Sequence, residues 1–275
     1  MVLRLAAASC LVACLTLTQP VAAASSDWVT VEGARVRLVT AGGPTEAGVI
    51  EGALEIALEP GWKTYWRDPG DAGVPPSIDV SRSRNVAAAT LSFPAPERFD
   101  DGVAAWAGYE GPVAFPVAFR LADPAAPTTI AADVFLGVCK AICIPLQARL
   151  TVDPAAGSNE AIDAELVAAA SAALPGSERP DFSARIVSLD DKTLTVAASV
   201  PAGTASAELF VAGADGFMFG TPERLEGDGG VGFSLPVLAQ PDTPAGGSAL
   251  PYTLVTAQGA VSGMLALPET SERTP

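Results

Sequence analysis

Glycine and proline punctuate this chain so densely that long helices have little room to form. It holds 26 Gly and 24 Pro among 275 residues, and short strands joined by turns suit such a sequence better. Hydrophobic residues make up 49% and charged ones only 17%, enough for a sizeable core in one or two domains. The clearest strands between Asp27 and Val152 are Val36 to Thr40, Gly52 to Leu58, Val113 to Phe119, Thr129 to Val138 and Leu146 to Val152. Leu54, Ile56 and Leu58 share one face with Glu55 on the other, and Val113, Phe115, Val117 and Phe119 share another. Such alternation marks half-buried strands, and their spacing predicts an all-β, immunoglobulin-like sandwich over 27–153.

A connector over 154–179 follows, with one helix expected from Asn159 to Ala173, rich in Ala, Glu and Leu and closed by Pro175-Gly176. A second small β-sandwich is expected over 180–268, with strands at Ala184 to Leu189, Thr193 to Val200, Glu208 to Val211, Val231 to Val237, Tyr252 to Thr256 and Ala260 to Leu267. Residues 269–275 form a polar tail. Two long stretches in the first domain, Pro60 to Pro76 and Phe93 to Pro112, read as irregular loops, and Trp62, Tyr65, Trp66 and Trp106 sit in them. Loops of that length tend to be functional.

The chain contains no histidine, which excludes Ser/His/Asp triads, Cys/His nucleophile pairs, His-based zinc sites and His-ligated haem. A formal charge of −15 opposes nucleic acid and anionic lipid, both of which need clustered Lys and Arg. Residues 1–24 have the make-up of a cleaved secretory signal: Arg4, an apolar run from Leu5 to Leu17, and Ala22-Ala23-Ala24 as the cleavage site. That run is too short to span a bilayer, so the mature protein is not expected to be transmembrane. A competing reading takes Leu11-Val12-Ala13-Cys14 as a lipidation motif that tethers the protein through Cys14.

Cleavage removes Cys10 and Cys14 and leaves Cys139 and Cys143, in a compartment where disulfides persist. The pair lies between two expected strands, and its spacing allows a direct bridge if a turn brings the Cα atoms within about 7 Å. As a staple, so short a loop would stabilise by only about 2 kcal/mol. Spacing and compartment alone leave the staple and a bond that opens and closes equally open, since reactivity distinguishes them. Two thiolates without His make a poor zinc site, and Cu(I) would have only the two sulfurs and a Met from elsewhere.

Several motifs occur together: Gly61-Trp62-Lys63-Thr64-Tyr65-Trp66-Arg67-Asp68-Pro69-Gly70-Asp71-Ala72-Gly73, Phe93-Pro94-Ala95-Pro96-Glu97-Arg98-Phe99, Gly108-Tyr109, and Gly137-Val138-Cys139 through Cys143-Ile144-Pro145. Residues 27–153 thereby resemble the N-terminal periplasmic domain of the thiol:disulfide interchange protein DsbD, particularly the suppressor-of-copper-sensitivity branch. The resemblance implies an immunoglobulin-like fold and a cysteine pair that exchanges disulfides with thioredoxin-like periplasmic partners. It assigns the mixed disulfide to Cys143 and its resolution to Cys139, with Tyr65 and Trp62 lining the site. It also makes Phe99 to Gly108 a loop capping the disulfide, with Trp106 or Phe99 as the capping aromatic. The cysteine spacing is shorter than in the best-known branch. The expected function is therefore periplasmic electron relay through one cysteine pair, without a bound cofactor, with a separate membrane electron transporter as a further candidate partner. The alternative is a non-catalytic binding module with a structural disulfide.

Overall fold

The computed structural model describes residues 24–70, 73–100, 102, 105–157, 160–225, 230–241 and 249–267. Apart from Ala24, the expected export segment, with Cys10 and Cys14, lies outside the described residues, as does the polar tail. Twelve strands form the first unit: β1 (Ala24–Ser25), β2 (Val29–Val31), β3 (Ala34–Thr40), β4 (Val49–Leu58), β5 (Lys63–Gly70), β6 (Ser77–Asp79), β7 (Val86–Leu91), β8 (Glu97–Asp100), β9 (Ala105–Glu110), β10 (Val113–Leu121), β11 (Ile130–Cys139) and β12 (Cys143–Val152). One sheet runs β1-β3-β4-β10-β7 with β2 on β3, and the other runs β12-β11-β5-β9-β8 with β6 on β11. Their facing sides enclose Leu38, Leu54, Ile56, Phe115, Phe119, Leu136, Val138 and Leu146, the immunoglobulin-like sandwich that the alternation predicts. In β12 the pattern is plain: Leu146, Ala148, Leu150 and Val152 point inward while Gln147, Arg149 and Thr151 face water.

The stretches 60–76 and 93–112, read from sequence as irregular, instead contain β5, β8 and β9. Alternation does not reveal β5 and β9 because the sheet is covered on both faces there, and β8 has only four residues. Thr64, Tyr65 and Trp66 are buried in succession, as are Trp106, Ala107, Gly108 and Tyr109. A strand buried on both sides shows no period of two.

The helix α1 (Glu160–Ala172) is more than a connector. Its Val167 and Ala170 pack on Val39 and Ala53, which sit opposite each other in the β3–β4 ladder. They cover the sheet's outer face, because Leu38 and Leu54, their neighbours in sequence, point into the core. Buried Asp163 lies 3.3 Å from Arg37, whose Nε donates to Glu55 at 2.6 Å, so the dock is both apolar and ionic.

The second unit comprises β13 (Gly176–Ser177), β14 (Ser183–Leu189), β15 (Thr193–Ser199), β16 (Ala207–Val211), β17 (Met218–Phe219), β18 (Glu223–Leu225), β19 (Val231–Ala239), β20 (Ala249–Thr256) and β21 (Gly259–Ala266). They build one sheet ordered β13-β21-β20-β16 and another ordered β14-β15-β19-β17 with β18 on β19. Leu194, Val196, Leu209, Phe233, Leu235 and Tyr252 lie in the core between them. Strand β16 serves two cores at once. Leu209 and Val211 point into the second unit, while Phe210 and the following Ala212 enter the first.

Candidate functional site: a hairpin disulfide under an aromatic cover

Strands β11 and β12 pair over ten residue positions, from Ile130↔Val152 to Cys139↔Cys143. The two cysteines are therefore the last facing pair before the turn at Lys140 to Ile142. The ladder alone brings their Cα atoms to 4.1 Å, and the sulfurs are bonded. The bond joins two positions very unlike in exposure. Cys139 is only 7% exposed, whereas Cys143 faces solvent. Next to it, Ile142 is 71% exposed, an apolar side chain at the hairpin tip with no core to fill.

The burial of Cys139 comes from β5 and β9. Lys63 pairs with Cys139 on one side and with Glu110 on the other, so Tyr65, two residues on, faces the same way. Its Oη lies 2.8 Å from Cys139 Sγ and 3.1 Å from Cys143 Sγ. A disulfide sulfur carries no proton, so the hydroxyl is the donor. Burial raises the Tyr65 pKa above that of an ordinary phenol, keeping the proton available at neutral pH. Glycines make room for the ring and for the strand that carries it. A Cβ at Gly137 would come within 3.0 Å of Tyr65 Cε2, and one at Gly108 would overlap the Thr64 carbonyl, so larger residues there would lift Tyr65 or part β5 from β9.

Trp106 meets Tyr65 edge-on at 5.7 Å and stacks on Phe99 at 4.3 Å. Phe99 and Trp106 face each other in the β8–β9 ladder. The ammonium of Lys63 lies 4.7 Å from the Trp106 ring centre and 5.1 Å from that of Phe99, an arrangement that favours a closed stack. Tyr65, Trp106 and Cys139 form one buried cluster with Phe99 against it. Of the segment expected to be a capping loop, 99–100 and 105–108 lie in β8 and β9, and both candidate aromatics lie in or against this cluster.

Trp62 lies elsewhere. It is part of the main core, and a Cβ at Gly33 would overlap its ring. Trp62 and Tyr65 are three residues apart, and an odd separation in extended chain sends two side chains to opposite faces. Sequence reasoning passed over Lys63, although its place two residues before Tyr65 is a signal of the same kind. Lys140, between the cysteines, is exposed and donates to the Pro60 carbonyl at 3.4 Å. Among the described residues no group of three or more Cys, Asp or Glu side chains comes together in a way that could hold a metal, and no helix is long and apolar enough to cross a membrane.

Residues 37–154 match the sequence profile of the family described as "Thiol:disulfide interchange protein DsbD, N-terminal". The fold resembles the crystal structure of the N-terminal periplasmic domain of ScsB from Proteus mirabilis, with a TM-score of 0.71 and 23% identity, over 89% of this chain and 98% of that one. No curated protein matches the chain in sequence. The matched segment takes in the cysteine hairpin and most of the β-sandwich around it, so the likeness to the DsbD N-terminal domain family covers the candidate site.

Proposed function

We propose that this chain is a periplasmic thiol:disulfide exchange protein, with a redox domain over 27–153 and a second β domain over 180–268, relaying electrons through Cys139 and Cys143 to or from thioredoxin-like partners. One observation carries the reading: the disulfide joins an exposed sulfur to a buried one, and a single tyrosine hydroxyl reaches both. The bond closes a loop between residues only four apart in sequence, so as a staple it removes little entropy from the unfolded chain. The family profile, named for thiol:disulfide interchange, and a structural neighbour that is a periplasmic domain support the same reading.

In the oxidised protein a partner thiolate attacks Cys143 Sγ, the Cys139–Cys143 bond breaks, and Cys139 leaves as the thiolate. The partner's second thiolate then attacks its own sulfur in the mixed disulfide and releases Cys143. The partner has become oxidised and this pair reduced. In the reverse direction, Cys143 attacks a partner disulfide and Cys139 resolves the intermediate. Tyr65 Oη stands where it can donate to whichever sulfur carries the charge, and a hydrogen bond to the thiolate lowers the thiol pKa.

Cys139→Ser, mixed with an oxidised periplasmic thioredoxin-like protein, is expected to form a covalent heterodimer through Cys143 that dithiothreitol dissolves. Non-reducing gels and peptide mapping check this, and the absence of a heterodimer, or equal trapping by Cys143→Ser, would overturn the proposal. In Tyr65→Phe the sulfurs lose their donor, so the thiol pKa rises. A hydrogen bond to a charged group is worth about 1.5–3 kcal/mol, so a rise of about one pKa unit and roughly tenfold slower alkylation by iodoacetamide at pH 7 are expected. The pH profile of alkylation of the reduced protein measures it directly.

A further inference from the structure

The strands that carry the aromatic cover are also the ones that the second unit grips, one residue out of phase. On β8, Phe99 stacks over Trp106 on the disulfide face. Its neighbour Arg98 points the other way, donates to the Leu209 carbonyl at 2.8 Å, lies 4.5 Å from the Phe210 ring centre and has Nε 4.0 Å from Glu208. On β5, Tyr65 reaches the sulfurs. Trp66, next to it, meets the edge of Phe210 at 5.9 Å, and Asp68 accepts from the Gly213 amide at 2.7 Å. Glu208, Leu209 and Phe210 of β16, with Gly213 just after it, thus hold the back of the sheet whose front carries the disulfide.

Strand β8 needs such a hold. It has four residues and stands at the end of its sheet, with β9 as its neighbour there. Short edge strands are the first elements to open locally. We propose that the second unit sets how often the aromatic cover opens over Cys139, with Arg98 as the positioning residue that transmits its grip to Phe99 and, through the stack, to Trp106. For its physiological meaning this rests on the exchange reading above. The cover and the grip themselves do not.

The test is the rate at which iodoacetamide alkylates the buried Cys139 thiol of the whole protein carrying Cys143→Ser, under native conditions. Iodide leaves as the carbamidomethyl carbon bonds to Cys139 Sγ, and the adduct is counted by mass. Arg98→Ala is expected to speed this alkylation about five- to tenfold, as loss of a charge-assisted hydrogen bond and a ring contact raises the open population. Arg98→Lys keeps a donor and a cation but not the flat guanidinium, and should restore part of the slow rate. Val196→Ala lowers stability within the second unit's own core without touching β8, and should leave the rate unchanged. If Arg98→Ala does not fold, Arg98→Gln, which keeps length and one donor, takes its place. An unchanged rate in the folded Arg98 variant, or equal acceleration by Val196→Ala, would overturn the inference. If instead the acceleration appears but the wild-type protein exchanges with no thioredoxin-like protein, the functional proposal falls while this inference stands.

Discussion

Replacing Cys143 by Ala is expected to reduce disulfide exchange with thioredoxin-like proteins to the uncatalysed background while leaving the protein folded. Chemically, the attacked sulfur is gone, and Cys139, 7% exposed under Tyr65 and Trp106, cannot take its place without the cover moving. Structurally, Cys143 faces solvent at a turn, and the facing pairs of β11 and β12 hold the hairpin without the bond. Loss of so short a crosslink costs only about 2 kcal/mol in the chain-entropy model. Stopped-flow exchange kinetics and a urea melt separate the two effects. Wild-type exchange rates in the variant would show that the chemistry does not run through Cys143.

Trp66→Ala carries the largest expected cost in stability, about 3–5 kcal/mol by analogy with other large-to-small core replacements. The side chain is 1% exposed and packs where the first core receives Phe210 from the second unit, so the cavity would open at the junction of both. The guanidinium of Arg67 stands 5.0 Å from the same ring. Its pKa is depressed by burial, so it too would lose part of its surroundings. Trp66 Nε1 has no hydrogen-bond partner among the described groups, so Trp66→Phe forfeits volume but no hydrogen bond and should cost much less. Denaturant unfolding of the two variants checks the order, and similar midpoints for both would show that the ring is not the joint between the units.

Alternation revealed a strand wherever one of its faces carries the large apolar side chains and the other carries small or polar ones. It is why the sandwich could be read at Leu54 to Leu58, at Phe115 to Phe119 and at Leu146 to Val152, and again at Leu194 and Val196 in the second unit. The same signal failed at β5 and β9. Residues 64–66 and 106–109 are covered on one side by the core and on the other by the aromatic cover, and a doubly covered strand has no polar face to display. The site was legible to the extent that it is local. Cys139 and Cys143 close one turn, Tyr65 and Phe99 belong to motifs shared with a family, and Trp106 lies in the stretch between two such motifs.

By itself, then, the sequence determined the all-β class, the two sets of strands, the cysteine pair at a turn and the exclusion of histidine chemistry, because all of these follow from composition and from neighbours within a few residues. Only the tertiary structure decided which sulfur is buried, that Tyr65 rather than Trp62 faces the bond, and that Phe210 and the Leu209 carbonyl hold the back of the site from more than a hundred residues away. Period-two geometry tells which side chains share a face of a strand, but which faces meet is set by pairing between distant segments, and that information lies in the assembled sheets.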